Sequence, residues 1–419
     1  MATPIAPYYQ LKCGCNQYPW GKKGSQSLAA QLCAKTPGWD GDGPQTDFQI
    51  DEGKPYAEMW MGTYPTLPSY VASTGENLQD ILDRNSKELL GDRVVTKFGH
   101  TLPFLPKILS IAKALPLQLH PNKKLASQLH REDPSAFTDS NHKPEIALAL
   151  TEFEAFCGFK PLDSISAILK LAPFEHFSAG MNTYGQRFTD EGLRKTVQSI
   201  LEASDETIKR TFESLRSLPD SAFTGRDAHI PQLASRLARD FSPTDPGILV
   251  GLLTMNYVVL EPGECIYIPA DGIHAYIAGD IIECMARSNN VLNTGFCPKA
   301  ERNNAKQFCS VLTFEPHDKE KCILKPGKTQ RSKEGRTRMF ETPTREFNLL
   351  ETALGAGEDE TLDPGGPAIL IATKGSAMVQ VNNEVFKLSE GHVYFVAHGI
   401  QLSLKAEALG LLMYTAYTE

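Results

Sequence analysis

Between about residues 162 and 245, apolar residues recur at the three- and four-residue spacing of a helix, in LDSISAILKL, DEGLRKTVQSILEAS, DETIKRTFESLRSL and PQLASRLARDF. The chain on either side lacks this period. Before it, stretches such as PTLPSYV and GDRVVTKFGHTLPFLPKIL are short apolar runs broken by Pro and Gly, the pattern of an irregular β-rich region with a few helices. After it, MNYVVLEPGECIYIPADGIHAYIAGDIIECMA alternates β-branched and aromatic residues with Gly and Pro turns. The middle block therefore reads as a helical insert in a β fold.

A second β region follows the polar, basic stretch GKTQRSKEGRTR, which reads as an exposed loop or linker. Beyond it, PAILIATKGSAMVQVNNEVFKLSEGHVYFVAHG carries a strand, an Asn-Asn hairpin turn and another Gly-bounded strand. At 419 residues the chain exceeds what one hydrophobic core usually organises. The expectation is a mainly β protein of two jelly-roll units with an α-helical insert. Residues 1–160 with 250–325 form the first unit, 161–249 the insert and 326–419 the C-terminal jelly roll.

Composition narrows the function. A formal net charge of −8, with no basic run interleaved with aromatics, argues against a nucleic-acid partner. No apolar run approaches the roughly 20 residues of a spanning helix, and the N-terminal stretch lacks a basic start followed by an apolar run. Neither a membrane partner nor secretion is expected, which leaves a cytoplasmic address. Nine cysteines are too sparse for a disulfide framework; Cys157, Cys265 and Cys284 lie in apolar runs and read as reduced structural thiols. The Cys13/Cys15 pair has no second pair to complete a zinc site. An anionic substrate would need a local cluster of positive charge.

Ligand-type residues concentrate in LPLQLHPNKKLA and NHKPEIALAL, which offer Gln118, His120, His142 and Glu145, with His274 far downstream in GIHAYI. One residue separates Gln118 from His120, so on a strand both side chains leave the same face, as two ligands of one metal must. Glu145 and His274 on neighbouring strands would complete a mixed N/O set suited to zinc. Glu283 follows two isoleucines in DIIECMA. Burial there would raise its pKa towards that of a base, the alternative being a strand-end ion pair. Lys143, close to Glu145, could stabilise negative charge developing on a substrate, or form a simple salt bridge.

Several segments, in this order, resemble type I mannose-6-phosphate isomerases: YPWGKKGSQS, YAEMWMGTYP, the Q-x-H-P of LQLHPNKKLA, NHKPE and YIPADGIHAYIAGDIIECMARSNNV. The resemblance spans nearly the whole chain and implies a cupin (jelly-roll) scaffold. It implies one zinc ion per chain on Gln118, His120, Glu145 and His274, and a monomer whose partner is a small sugar phosphate. The implied reaction interconverts mannose 6-phosphate and fructose 6-phosphate through a cis-enediol, supplying GDP-mannose synthesis. Lys143, Glu283, His142 and Tyr276 are the implied catalytic pocket residues. For the phosphate, Ser110, Lys107 and Lys299 are the expected contacts, with Arg302 adding to them, because a dianion needs charge-assisted donors.

Four positions depart from the family. Ser288-Asn289-Asn290-Val291-Leu292-Asn293-Thr294-Gly295 places Asn289 where a carboxylate is expected and Asn293 where the family has an active-site arginine. Tyr64 stands in for a His, and Pro116 for a Ser. Arg287, in the same segment as Asn293, could approach the site from another backbone position and compensate. These departures leave open a divergent metal-dependent cupin enzyme acting on another sugar phosphate or small molecule, or a non-catalytic paralogue.

Overall fold

The computed structural model describes residues 5–36, 48–180 and 188–419. Two ten-stranded antiparallel sheets dominate it. The first is organised by the strand His274–Ala286, which pairs along one edge with Phe104–Ile111 and Leu117–Leu119 and along the other with Glu145–Ala149 and Phe153–Phe159. Past a register shift between Tyr276 and Ala278, its residues Ile282, Cys284 and Ala286 enter an apolar core shared with the second sheet, through Leu349, Ile369, Ile371, Val393 and Phe395. Its odd-numbered residues Ile281, Glu283 and Met285 point the other way, into a concave interior. This alternation separates the packing face of the strand from its chemical face.

The second sheet contains the C-terminal strands Asn348–Leu354, Ala368–Val381 and Leu402–Tyr417. Asn382 and Asn383 join Ala368–Val381 to Glu384–Ser389, with Val381 facing Glu384 and Asn382 at φ 53°, the left-handed backbone that a two-residue hairpin needs. One boundary differs from expectation. The strand Tyr8–Lys12, grouped above with the first unit, pairs instead with Val393–Val396 of the C-terminal sheet. Packing explains the change: Leu11 is buried between the sheets and the Tyr8 ring stacks on Phe386 at 4.5 Å. The basic stretch after residue 326 is also pinned. The buried Glu360 carboxylate accepts hydrogen bonds from the Ser332 hydroxyl and the backbone N–H groups of Lys333, Glu334 and Arg336.

The helical block forms as the periodicity predicts, over Leu162–Leu169, Asp190–Glu202, Asp205–Ser217 and Ile230–Asp240. Thr189 and Ser204 cap two of these helices with their hydroxyls, and Asp190, Glu191, Asp205 and Glu206 complement the positive helix ends. Their apolar stripes (Leu193, Val197, Ile200; Ile208, Phe212, Leu215; Leu233, Leu237) bury one core with the helix Pro246–Thr254. Every residue of that last helix is buried. It lies directly against the short strand Leu292–Gly295, where a Cβ on Gly295 would stand 2.4 Å from the Cα of Gly247. No described helix is long and apolar enough to cross a membrane.

The Gly247–Gly295 approach leaves no space for a side chain. Gly295→Ala should therefore cost about 1–3 kcal/mol in denaturant unfolding, the usual penalty of overpacking. An unchanged midpoint would show that the helix and strand are not locked at this point.

Candidate metal centre

Gln118 lies on the strand Leu117–Leu119 directly opposite His274, and His120 follows at its end. Glu145 opens the strand Glu145–Ala149, opposite Met285. His120, Glu145 and His274 are fully buried, and their ligand atoms lie within 4.8 Å of one another. His120 Nε2 stands 3.2 Å from Glu145 Oε1, and His274 Nε2 stands 3.6 Å from Glu145 Oε2. Gln118 Nε2 is 3.3 Å from His274 Nε2, and a half-turn of the amide presents Oε1 to the same point. The four residues singled out by type and spacing thus converge.

The backbone around them sets the tautomers. His120 Nδ1 lies 2.8 Å from the Asn290 carbonyl and His274 Nδ1 3.0 Å from the Gly272 carbonyl. A carbonyl only accepts, so in the neutral rings each Nδ1 carries the proton and each Nε2 presents a lone pair towards Glu145. Burial, then Lys143, holds the His120 pKa down at about 4, so the ring is neutral. Burial opposes ionisation of Glu145, yet the Lys143 ammonium holds its carboxyl well below the ordinary range. Lone pairs and a carboxylate oxygen converge: His120 Nε2 and Glu145 Oε1 are buried with no hydrogen-bond partner among the described residues, and Glu145 Oε1 has only the Lys143 ammonium at ion-pair distance. Such a donor set is stable around a cation, and this is the fit that a metal requires.

Two networks hold this geometry. Asp139 accepts from the Ser288 hydroxyl and from the backbone N–H of Asn289, and Asn290 Nδ2 donates to the carbonyls of Asp139 and Asn141. That fixes the Asn290 carbonyl on His120. Asp271, at φ 64°, donates its backbone N–H to the His120 carbonyl and accepts from the Asn122 backbone and amide, both at 2.7 Å. A non-glycine residue in left-handed backbone costs free energy that the surrounding contacts must offset.

Beside the ligands lies a chain of buried charge. Lys143 Nζ stands 2.9 Å from Glu145 Oε1, and the Tyr276 hydroxyl donates to Glu145 Oε2 at 3.0 Å. Glu283 pairs with Lys107 at 2.9 Å, and Lys107 also faces Glu58 at 3.7 Å. Burial pushes the Glu283 pKa up against the pull of Lys107, with Glu145 adding to the rise. Burial opposes the charge on Lys107, but Glu283 and Glu58 keep its pKa above the usual ammonium value.

Glu58 and Trp60 were not singled out as site residues from sequence. Trp60 Nε1 donates to Glu58 at 2.6 Å, and Lys107 Nζ sits 5.0 Å above the Trp60 ring. Their i, i+2 spacing in YAEMWMG, the same signal that marked Gln118 and His120, would have found them. Tyr64 packs edge-on against Trp60 at 5.4 Å, and Arg287 lies over the Tyr64 ring.

Other expected residues are placed elsewhere. Ser110 is three positions from Lys107 on one strand, so it faces the opposite side, where its Oγ accepts from the Ala29 backbone N–H at 2.9 Å. It packs a helix rather than facing the cavity. Lys299, in a turn beyond Leu292–Gly295, is 77% exposed and paired with Asp205. Arg302 is bound to Asp245 at 2.8 Å and to the Cys297 carbonyl. His142, next to Lys143 on extended chain, takes the other direction and places Nε2 3.0 Å from Glu346. Burial opposes ionisation of Glu346, but His142 and Thr344 hold it at about 2. Asn289 is exposed; Asn293 stands opposite Gln118, its Oδ1 buried without a partner among the described residues.

The family described as phosphomannose isomerase type I, catalytic domain, matches residues 8–162. The chain is 38% identical to the mannose-6-phosphate isomerase of Saccharomyces cerevisiae, covering 98% of both chains. It is 36% identical to that of Candida albicans, covering 96% of this chain and 95% of the relative. A crystal structure of mannose 6-phosphate isomerase from Salmonella typhimurium, bound to fructose 6-phosphate and zinc, superposes with a TM-score of 0.82 at 25% identity, covering 99% of this chain and 100% of that one.

The converging donors predict a tight divalent-metal site. Adding zinc to chelator-treated protein should raise its melting temperature, with about 4 kcal/mol of stabilisation when free metal exceeds Kd a thousandfold. Glu145→Gln and His274→Ala should each abolish that rise. An undiminished rise in either variant would place the metal elsewhere.

Proposed function

The chain belongs to the type I phosphomannose isomerase family, and from that premise we propose that it interconverts mannose 6-phosphate and fructose 6-phosphate with zinc held by Gln118, His120, Glu145 and His274. The observation that carries this reading is the pair of Nε2 lone pairs aimed at a buried carboxylate, next to a second buried carboxylate on the same concave wall. Zinc at this position would supply a Lewis acid that polarises the open-chain sugar and acidifies the C–H beside its carbonyl.

The chain's own residues then move the proton. Glu283 takes it from C2 of the open-chain aldose and returns it to C1 on the same face, through a cis-enediol. What supports Glu283 is its burial, its place on the inward row of the long strand, and an Oε2 that makes no hydrogen bond in spite of the nearby Lys107. Lys107 keeps the carboxylate ionised between transfers, while burial keeps it basic enough to accept a proton. Lys143 offers an ammonium beside Glu145 to the oxygen that gains charge in the enediolate. Tyr276 orients Glu145 through its hydroxyl, and burial and Glu145 keep that phenol protonated.

A coupled assay on zinc-loaded protein tests the reading. Mannose 6-phosphate should be converted to fructose 6-phosphate, and in D2O the sugar should acquire deuterium at the carbons that exchange the proton. No turnover with metal bound would overturn it. Glu283→Gln should lower kcat by about 10²–10⁴, the usual contribution of a general base, with zinc content unchanged. Because Glu283 acts ionised and its pKa is raised, wild-type activity should fall as pH drops through a limb above the ordinary carboxylate range. A glutamine variant with wild-type kcat would remove Glu283 from the proton path.

A further inference from the structure

A hexose 6-phosphate brings two negative charges that must be met away from the carbons that exchange the proton. Most cations near the cavity are already neutralised. Lys107 lies between Glu283 and Glu58, Lys143 lies against Glu145, and Lys123 shares Glu346 with His142. Arg287 is different: no carboxylate lies within ion-pair distance of it among the described residues. Asp139 and Asp83 are the acids that influence it from further away, and Asp139 spends its oxygens on Ser288, Asn289 and Asn290.

Its guanidinium is held in place nonetheless. Nη1 donates to the buried Thr63 carbonyl at 3.0 Å and to the Thr63 hydroxyl at 2.8 Å, and the group lies 5.4 Å from the centre of the Tyr64 ring. Nε and Nη2 make no hydrogen bond to any described residue. An arginine that is partly buried, oriented by three contacts and left with a free edge presents the fork that phosphate oxygens match.

Its position fits the sugar. Arg287 continues the inward row Glu283, Met285 of the long strand, and the ladder runs on past Glu145 through the Ala286 N–H bond to the Pro144 carbonyl. Arg287 thus stands about one pleat repeat, roughly 7 Å, beyond the level of Glu145. Tyr64 leans on Trp60, which lies under Lys107, so a continuous wall of rings joins the free guanidinium to the Glu283–Lys107 pair.

We propose that Arg287, braced by Thr63 and stacked on Tyr64, is the phosphate anchor of this site. The proposal rests on the isomerase reading for the identity of the sugar, while the anion site itself stands on the unpaired guanidinium. It makes the Tyr64–Arg287 pair the determinant that separates phosphorylated from unphosphorylated hexose.

The test uses zinc-loaded full-length protein. Arg287→Gln should raise KM for mannose 6-phosphate at least tenfold and weaken inhibition by inorganic phosphate to a similar extent, with kcat within a few-fold of wild type and zinc content unchanged. The preference for mannose 6-phosphate over mannose should fall by the same factor. Arg287→Lys, which keeps the charge but loses the fork, should lie between. Unchanged KM and phosphate inhibition in the glutamine variant would overturn the anchor. Should that variant fail to fold, Thr63→Val, which removes the hydroxyl brace, should raise KM several-fold, and an unchanged KM there would overturn the proposal. Binding of inorganic phosphate by calorimetry separates the two readings. If phosphate binds wild type and not Arg287→Gln, the anchor stands even where no isomerisation is detected; equal binding to both overturns it even in an active isomerase.

Discussion

The structure is organised around one electrostatic problem, a buried carboxylate faced by two imidazole lone pairs. Glu145 sits where two strands and a loop end converge, and as neutral rings His120 and His274 offer it no proton, because the one proton each then carries is held on Nδ1 by a backbone carbonyl. Among the described residues, Lys143 brings positive charge to it and the Tyr276 hydroxyl donates to it. Leaving such a set unmet in a dry interior is costly, and a divalent cation at the point of convergence removes the conflict. The rest of the fold serves to keep that point from relaxing. Asp139 fixes Asn290, Asp271 fixes the chain at His120, and the Gly247–Gly295 contact presses the strand beside Gln118 against a fully buried helix. Each holds backbone rather than a ligand side chain, so the imidazoles inherit their orientation from main-chain carbonyls that cannot rotate.

How much of this was legible in sequence depended on the range of the interaction. Local periodicity located the helical block and the Asn382–Asn383 hairpin, because caps, stripes and two-residue turns are decided within a few residues. The alternation rule brought Gln118 and His120 to one face. The same rule, left unapplied, would have separated Ser110 from Lys107 and recruited Glu58 with Trp60, so those differences were readable in principle. Others were not. His142 is captured by Glu346, 204 positions away, and Tyr8–Lys12 by Val393–Val396. Lys299 lies one turn past a site strand, and only the path of that turn sends it to solvent. Such pairings are set by which elements meet, and residue type carries no trace of them.

The charges near the cavity also explain why this wall tolerates asparagine at 293. Glu58, Glu145 and Glu283 supply three negative charges; Lys107, Lys143 and Arg287 supply three positive ones, so the protein's own groups balance. A divalent metal then leaves two positive charges, which a phosphate dianion cancels. A guanidinium at 287 gives the same sum as one at 293 would, but holds the anion at the rim rather than beside Gln118. In a low-dielectric cavity the sum governs whether substrate binds at all, and the position governs which atoms of it reach the metal and Glu283. On this argument positions 64, 287 and 293 act together: the guanidinium at 287 lies on the ring at 64, and with the anion held there the site beside Gln118 needs only a small neutral side chain.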